Sequence, residues 1–137
     1  PALRGSAAAP AAIKKATLGH TQSAVAQGRT PILARRTFAH GADSGAHPAP
    51  GPTVLFVESG AVEFSVTQAG ALVTRSGSTA EELLAAGAKT TLNAGDAVTY
   101  DEGVIHEVIN SGTGPAVTLE SRLNPTAVAT PAATPTP

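Results

Sequence analysis

The chain has 137 residues, enough for one small domain and its tails. Its net charge is −1 and only 14% of residues are charged, which excludes the basic stripe that a nucleic-acid partner requires, and the lack of cysteine excludes disulfides and thiolate metal sites. Hydrophobic residues reach 42%, but about half of them are alanine, so the core is modest, and no apolar run approaches the ~20 residues of a membrane-spanning helix.

Residues 1–30 are rich in Ala, Gly, Ser, Thr and Gln, with Ile13, Leu18 and Val25 as isolated apolar points. Such a segment buries too little surface to offset its ordering entropy, so it reads as an extended arm. Lys14-Lys15 and Arg35-Arg36 read as isolated basic pairs on solvated surface. From Pro31 the character changes, and residues 32–38 predict a strand. A long loop follows over 40–52, where Pro48, Pro50 and Pro52 cannot donate to an interior ladder. Residues 53–57 are an apolar strand, Glu58-Ser59-Gly60 is a turn, and 61–67 alternate cleanly, with Val62, Phe64 and Val66 on one face. Together they read as a β-hairpin.

Another strand is predicted at 72–74. Residues 78–87 have a capping-box form, Ser78 standing three residues before Glu81 and Gly87 serving as a stop, which predicts one or two helical turns against a competing loop. Residues 90–92 lead through the Asn93-Ala94-Gly95 turn to a strand at 97–100. After the Asp101-Glu102-Gly103 turn, a strand over 104–109 places Val104, His106, Val108 and Asn110 on one face and Ile105, Glu107 and Ile109 on the other. A last alternating strand, 116–120, closes the sheet. From Asn124 the chain is Thr, Ala and Pro, an extended or polyproline tail whose threonines suit O-glycosylation.

Two stretches resemble the conserved motifs of the cupins. Gly95, Asp101, Gly103, His106 and Asn110 fall at the spacing of the second motif, G-x5-P-x-G-x2-H-x3-N, with Asp101 in place of proline. Gly41, His47 and Gly60 fall at positions of the first, G-x5-H-x-H-x3-4-E-x6-G, with Ala49 in place of the second histidine and Thr53 in place of the glutamate. The resemblance implies an all-β fold: one jelly-roll or double-stranded β-helix barrel over residues 31–123, with extended arms at 1–30 and 124–137. In the family, three histidines and the glutamate bind a divalent metal inside the barrel; carried over, only His47 and His106 survive.

Two imidazoles fall short of the three or more protein ligands that mononuclear sites take. Glu58, Glu107, Asp43 and His40 could raise the count only against strand alternation or through a folded-back loop. The expected cofactor is therefore none, the alternative being one divalent transition metal (Fe, Mn, Zn, Ni or Cu) on His47 and His106. Without a metal, His106 reads as a core histidine bonded to a backbone carbonyl or to Asn110. His47, before Pro48, reads as a loop residue held extended. Phe56, Phe64, Tyr100 and Thr53 are the candidate lumen lining.

Three functions fit this reading. The first is a secreted structural protein, without catalysis, that assembles with copies of itself through its arms into a filament or another homo-oligomer. A start at Pro1 without methionine suits a processed N terminus, and the Thr/Pro-rich end suits an extracellular setting, with glycans on its threonines. The second is a mononuclear metal-dependent cupin enzyme, and the third a cupin that binds a small ligand without chemistry.

Overall fold

The computed structural model describes residues 12–20 and 28–125, and within them the alternating runs become eleven strands. In chain order they are β1 (Ile13–His20), β2 (Arg29–Phe38), β3 (His47–Pro48), β4 (Thr53–Ser59), β5 (Ala61–Val66), β6 (Ala71–Thr74), β7 (Glu81–Leu84), β8 (Lys89–Asn93), β9 (Ala97–Tyr100), β10 (Ile105–Ile109) and β11 (Ala116–Pro125). All pairings are antiparallel. They build a seven-stranded sheet in the order β1-β2-β11-β4-β9-β6-β7 and a four-stranded sheet in the order β3-β10-β5-β8. The expected all-β architecture is thus what the chain adopts.

The core lies between the two sheets. Leu55, Val57, Val73 and Val98 from the larger sheet meet Val62, Phe64, Val66, Leu92 and Val108 from the smaller, all buried. Each side chain is presented by the period of two along its strand. Fully burying such residues is worth roughly 1.5–3 kcal/mol apiece.

Several expectations change. The runs at 53–59 and 61–66 are not a hairpin: β4 pairs with β11 and β9, while β5 pairs with β10 and β8. The turn at Gly60 is a corner at which the chain passes from one sheet to the other. Gly103 marks an equivalent corner between β9 and β10. A two-stranded hairpin leaves its apolar face in water, whereas splitting the strands between two facing sheets buries Leu55 and Val57 against Val62 and Phe64.

Residues 78–87 form no helix. The Ser78 hydroxyl accepts from the Ala80 amide at 3.0 Å, as a cap would, but the chain then enters β7 and pairs with β6, Glu81 opposite Thr74 and Leu84 opposite Ala71. A helix this short is marginal alone, and pairing with a sheet edge satisfies the same backbone groups.

The N-terminal arm is in part a strand: Ile13–His20 pairs with Ile32–Phe38 of β2 and forms one edge of the larger sheet. The remainder of the arm, 1–11 and 21–27, and the tail from 126 lie outside the described residues.

Gly60 has φ +76°, and a Cβ there would sit 2.6 Å from the Pro115 carbonyl oxygen and 2.8 Å from the Ala116 Cα. The left-handed conformation alone costs a non-glycine residue about 1–2 kcal/mol. Because the obstructing atoms are backbone, Gly60→Ala is expected to lower unfolding stability by at least about 2 kcal/mol, read as a shift of the urea midpoint. An unchanged midpoint would show that the corner relaxes freely.

Candidate functional site

The interior is assembled from six strands. On β10, His106 projects inward and is 3% exposed; on β3, His47 is its cross-strand partner, the ring centroids 4.4 Å apart. Tyr100 at the end of β9 lies 4.5 Å from the His106 ring, and Phe64 of β5 lies 5.3 Å from Tyr100 and 5.8 Å from His106. Alternation along 104–110 is as expected: Val104, His106, Val108 and Asn110 are buried, and Glu107 faces away.

Both imidazoles are oriented by backbone carbonyls, His106 Nδ1 to Val104 at 3.0 Å and His47 Nδ1 to Gly45 at 2.9 Å. A carbonyl can only accept, so each Nδ1 carries the proton, and in the neutral ring the lone pair sits on Nε2. Burial lowers the pKa of His106, an effect opposed by the Val104 bond and reinforced by the neighbouring His47. Folded His106 therefore holds its proton less readily than the unfolded chain, whose imidazole has its ordinary value of 6.5. Its contribution to stability is complete above that value and is lost as pH falls from there through the folded pKa. A denaturation series from pH 8 to pH 5 is expected to show this decline, and His106→Gln is expected to flatten it.

The fifth strand is β11, with β2 beside it as the sixth. Ala116, Thr118, Glu120 and Arg122 face the interior, while Val117, Leu119 and Ser121 face out, the reverse of the usual polarity. Arg122 Nη1 donates to Glu120 Oε1 at 2.6 Å, and Arg36 Nη2 of β2 lies 3.3 Å from the same oxygen. Tyr100 Oη donates to Glu120 Oε2 at 3.5 Å. Burial, then the Glu120 charge, pushes the Tyr100 phenol far up, so it remains a hydrogen-bond donor. Thr118 is fully buried beside Arg36 in register, and its hydroxyl has no partner among the described residues.

No protein-family model matches the chain, and no curated protein matches it in sequence. Solved structures do match it in shape. A cupin 2 conserved barrel domain protein from Leptotrichia buccalis superimposes with a TM-score of 0.56 at 17% identity, over 82% of this chain and 41% of that one. A cupin domain from Bordetella pertussis gives 0.52 at 17% identity, over 85% and 97%. The chain has the cupin fold. KdgF from Halomonas sp. is similar as well, with a TM-score of 0.53 at 18% identity over 80% and 78%. The chain spans less than half of the Leptotrichia protein's length.

Within the cupin barrel, the structure brings His47 and His106 together, but the described residues supply no third ligand. Among the described residues no group of three or more His, Cys, Asp or Glu side chains could hold a metal ion. Glu120, the interior carboxylate, is engaged by Arg122, Arg36 and Tyr100. Glu107 is on the side away from His106, where the neighbouring Asp43 carboxylate raises its pKa, Glu58 pairs outside with Arg35, and His40 contacts the Gly112 carbonyl. The donor set therefore does not meet the requirement of a mononuclear divalent site.

The other candidates divide. Phe64 and Tyr100 line the interior. Thr53 is buried, but its hydroxyl donates to the Gly51 carbonyl at 2.8 Å and holds the preceding loop. Phe56 does not line the lumen; it is 37% exposed on the outward face, because Thr53, Leu55 and Val57 occupy the inward positions of β4. Arg36 was expected on the surface and instead reaches inward to Glu120. Asn110 is not the partner of His106: its amide donates to the Phe38 and Gly114 carbonyls at 2.9 and 2.8 Å, closing the loop before β11.

Sequence reasoning missed Glu120 and Arg122. The alternation of 116–120 was visible, but hydrophobicity points Val117 and Leu119 inward, the opposite of what is found. The only available signal was a row of three polar residues, 118, 120 and 122, in the strand that closes the sheet.

Proposed function

We propose that the chain is a cupin-fold binding protein whose interior holds a small anionic molecule such as a carboxylate. The observation that carries this reading is the inversion of β11, which directs Glu120 and Arg122 inward to meet Arg36 and leaves the Thr118 hydroxyl without a partner among the described residues. Two guanidinium groups face one carboxylate, so the cluster carries an excess positive charge. Burying such a set costs several kcal/mol per ion before pairing, and placing Val117 and Leu119 inside instead would be at least as stable. A local rule broken in this way points to binding. The Tyr100 O–H is already given to Glu120, and Nε2 of His47 and His106 offers two acceptors that suit a hydroxyl group on the ligand, not its carboxylate.

The test is calorimetric titration and thermal shift against small mono- and dicarboxylates, with neutral sugars of similar size as controls. A carboxylate at about 100 times its Kd should add about 2.7 kcal/mol of stability, and Arg122→Gln should abolish the response. A wild-type protein indifferent to every carboxylate would refute the reading.

A second reading is a secreted structural protein that assembles with copies of itself through its terminal arms. One observation favours it: part of the N-terminal arm already pairs as β1 on the sheet edge, and an edge strand can be exchanged with an identical copy. Deleting residues 1–20 should reduce such an assembly to monomers by light scattering; an unchanged mass would remove the reading.

A further inference from the structure

The structure assigns a second binding site, separate from the interior, to the strand ends on the outward face of the larger sheet: a groove that takes a small organic cation with an apolar body, such as a primary alkylammonium ion. The groove is open and measures about 680 Å³, within the usual range for small-molecule sites. Register fixes its walls. Val54, Thr99, Leu72 and Leu83 stand side by side across β4, β9, β6 and β7, and Val54, Leu72 and Leu83 are 43, 38 and 72% exposed. Leu123 and Pro52, joined by a backbone hydrogen bond of 3.1 Å, form one end. Gly70 forms the other, beside β7. A Cβ there would lie 3.2 Å from Leu83 Cδ1 and 2.9 Å from the Leu84 carbonyl oxygen, so a side chain at this position would crowd Leu83.

Charge decides what kind of molecule fits. Two charged residues line the groove, Asp101 and Arg122. Arg122 is buried, and its guanidinium is committed to Glu120 Oε1 at 2.6 Å and to Asn124 Oδ1 at 2.9 Å. Asp101 is exposed, two residues after Thr99 and on the same outward side by alternation. It makes no ion pair among the described residues, and Arg29 goes instead to the adjacent Glu102 at 2.7 Å. Glu81, exposed and two residues before Leu83 on the same side of β7, likewise makes no ion pair among the described residues. The apolar side chains therefore lie between two carboxylates without a cation, an arrangement complementary to a positive charge and unfavourable to an anion. An ammonium group over β9 has the Asp101 carboxylate and the Thr99 hydroxyl as acceptors. Its alkyl chain then crosses Leu72 toward Leu83, two strand spacings or about 10 Å away.

Methyl chemical shifts of Leu72 and Leu83, measured by NMR on the full chain, test the assignment without reading the interior. Titration with butyl-, pentyl- and hexylammonium at neutral pH is expected to move the methyl signals of both residues, with affinity rising about four-fold for each added methylene. Hexanol should bind roughly two- to five-fold more weakly than hexylammonium, because an exposed ion pair adds only modestly, and hexanoate more weakly still. In Asp101→Asn, with folding confirmed by circular dichroism, the preference for hexylammonium over hexanol should disappear while the gain per methylene remains. Leu83→Ser should reduce that gain. Methyl signals indifferent to hexylammonium overturn the proposal, as does hexanoate bound as tightly as hexylammonium, or a preference that survives Asp101→Asn. A response that fades as protein concentration rises also overturns it, because a second copy then covers the groove.

Discussion

Replacing Glu120 with alanine is expected to destabilise the protein by about 3–5 kcal/mol, among the largest effects of any single polar substitution in the chain. The carboxylate side chain is 5% exposed, and its partners Arg122 and Arg36 are 9% and 20% exposed. Removing it leaves two guanidinium groups near each other in a poorly hydrated interior, along with a Tyr100 hydroxyl that has lost its acceptor. The loss is larger than the net worth of the ion pairs, because stranded charge carries its full desolvation penalty. A triple variant, Arg36→Met, Glu120→Leu and Arg122→Met, separates the two quantities. It removes every member of the cluster, and its stability is expected to lie within about 1–2 kcal/mol of the wild type or above it. Urea denaturation gives both values. If Glu120→Ala costs no more than a surface substitution, the cluster is hydrated and the interior is open to water.

This cluster also marks where sequence reasoning stops. The period-two runs at 61–66 and 104–110 were legible because one face of each is apolar and the other polar, so the inward face announces itself. The glycine and histidine spacing of the two motifs added the barrel around them. Pairing was not legible: Gly60 and Gly103 look like hairpin turns, and nothing in four residues of turn states whether the next strand returns beside the last or crosses to a facing sheet. Burial of Leu55 against Val62 settles that choice, and it is a long-range quantity. Polarity misleads most on β4 and β11. Phe56 and Leu119 are apolar and point outward, while Thr118, Glu120 and Arg122 are polar and point inward. A pattern-based reading assumes that water lies outside and hydrocarbon inside. Both strands violate it in the same sense, which is expected of a sheet with polar business inside and an apolar neighbour outside.

The two phenylalanines turn that inversion into a measurement. Phe64 is fully buried, its ring against Tyr100 and His106 between the two sheets. Phe64→Ala is expected to cost about 3–5 kcal/mol, the sum of lost transfer free energy and the cavity left behind. Phe64→Leu, which retains most of the volume, should cost less than half of that. Phe56 differs by only eight positions and is equally aromatic, yet it is 37% exposed, so Phe56→Ala should cost about 1 kcal/mol or less in the isolated subunit. Urea midpoints at several protein concentrations distinguish the origins of any Phe56 effect. A concentration-independent loss belongs to the subunit's own packing, whereas a loss that grows with concentration belongs to an interface, because only association couples stability to mass action. If the two substitutions proved equally costly in dilute protein, the inward and outward faces of β4 would have to be exchanged, and with them the placement of Thr53 and Leu55 inside the barrel.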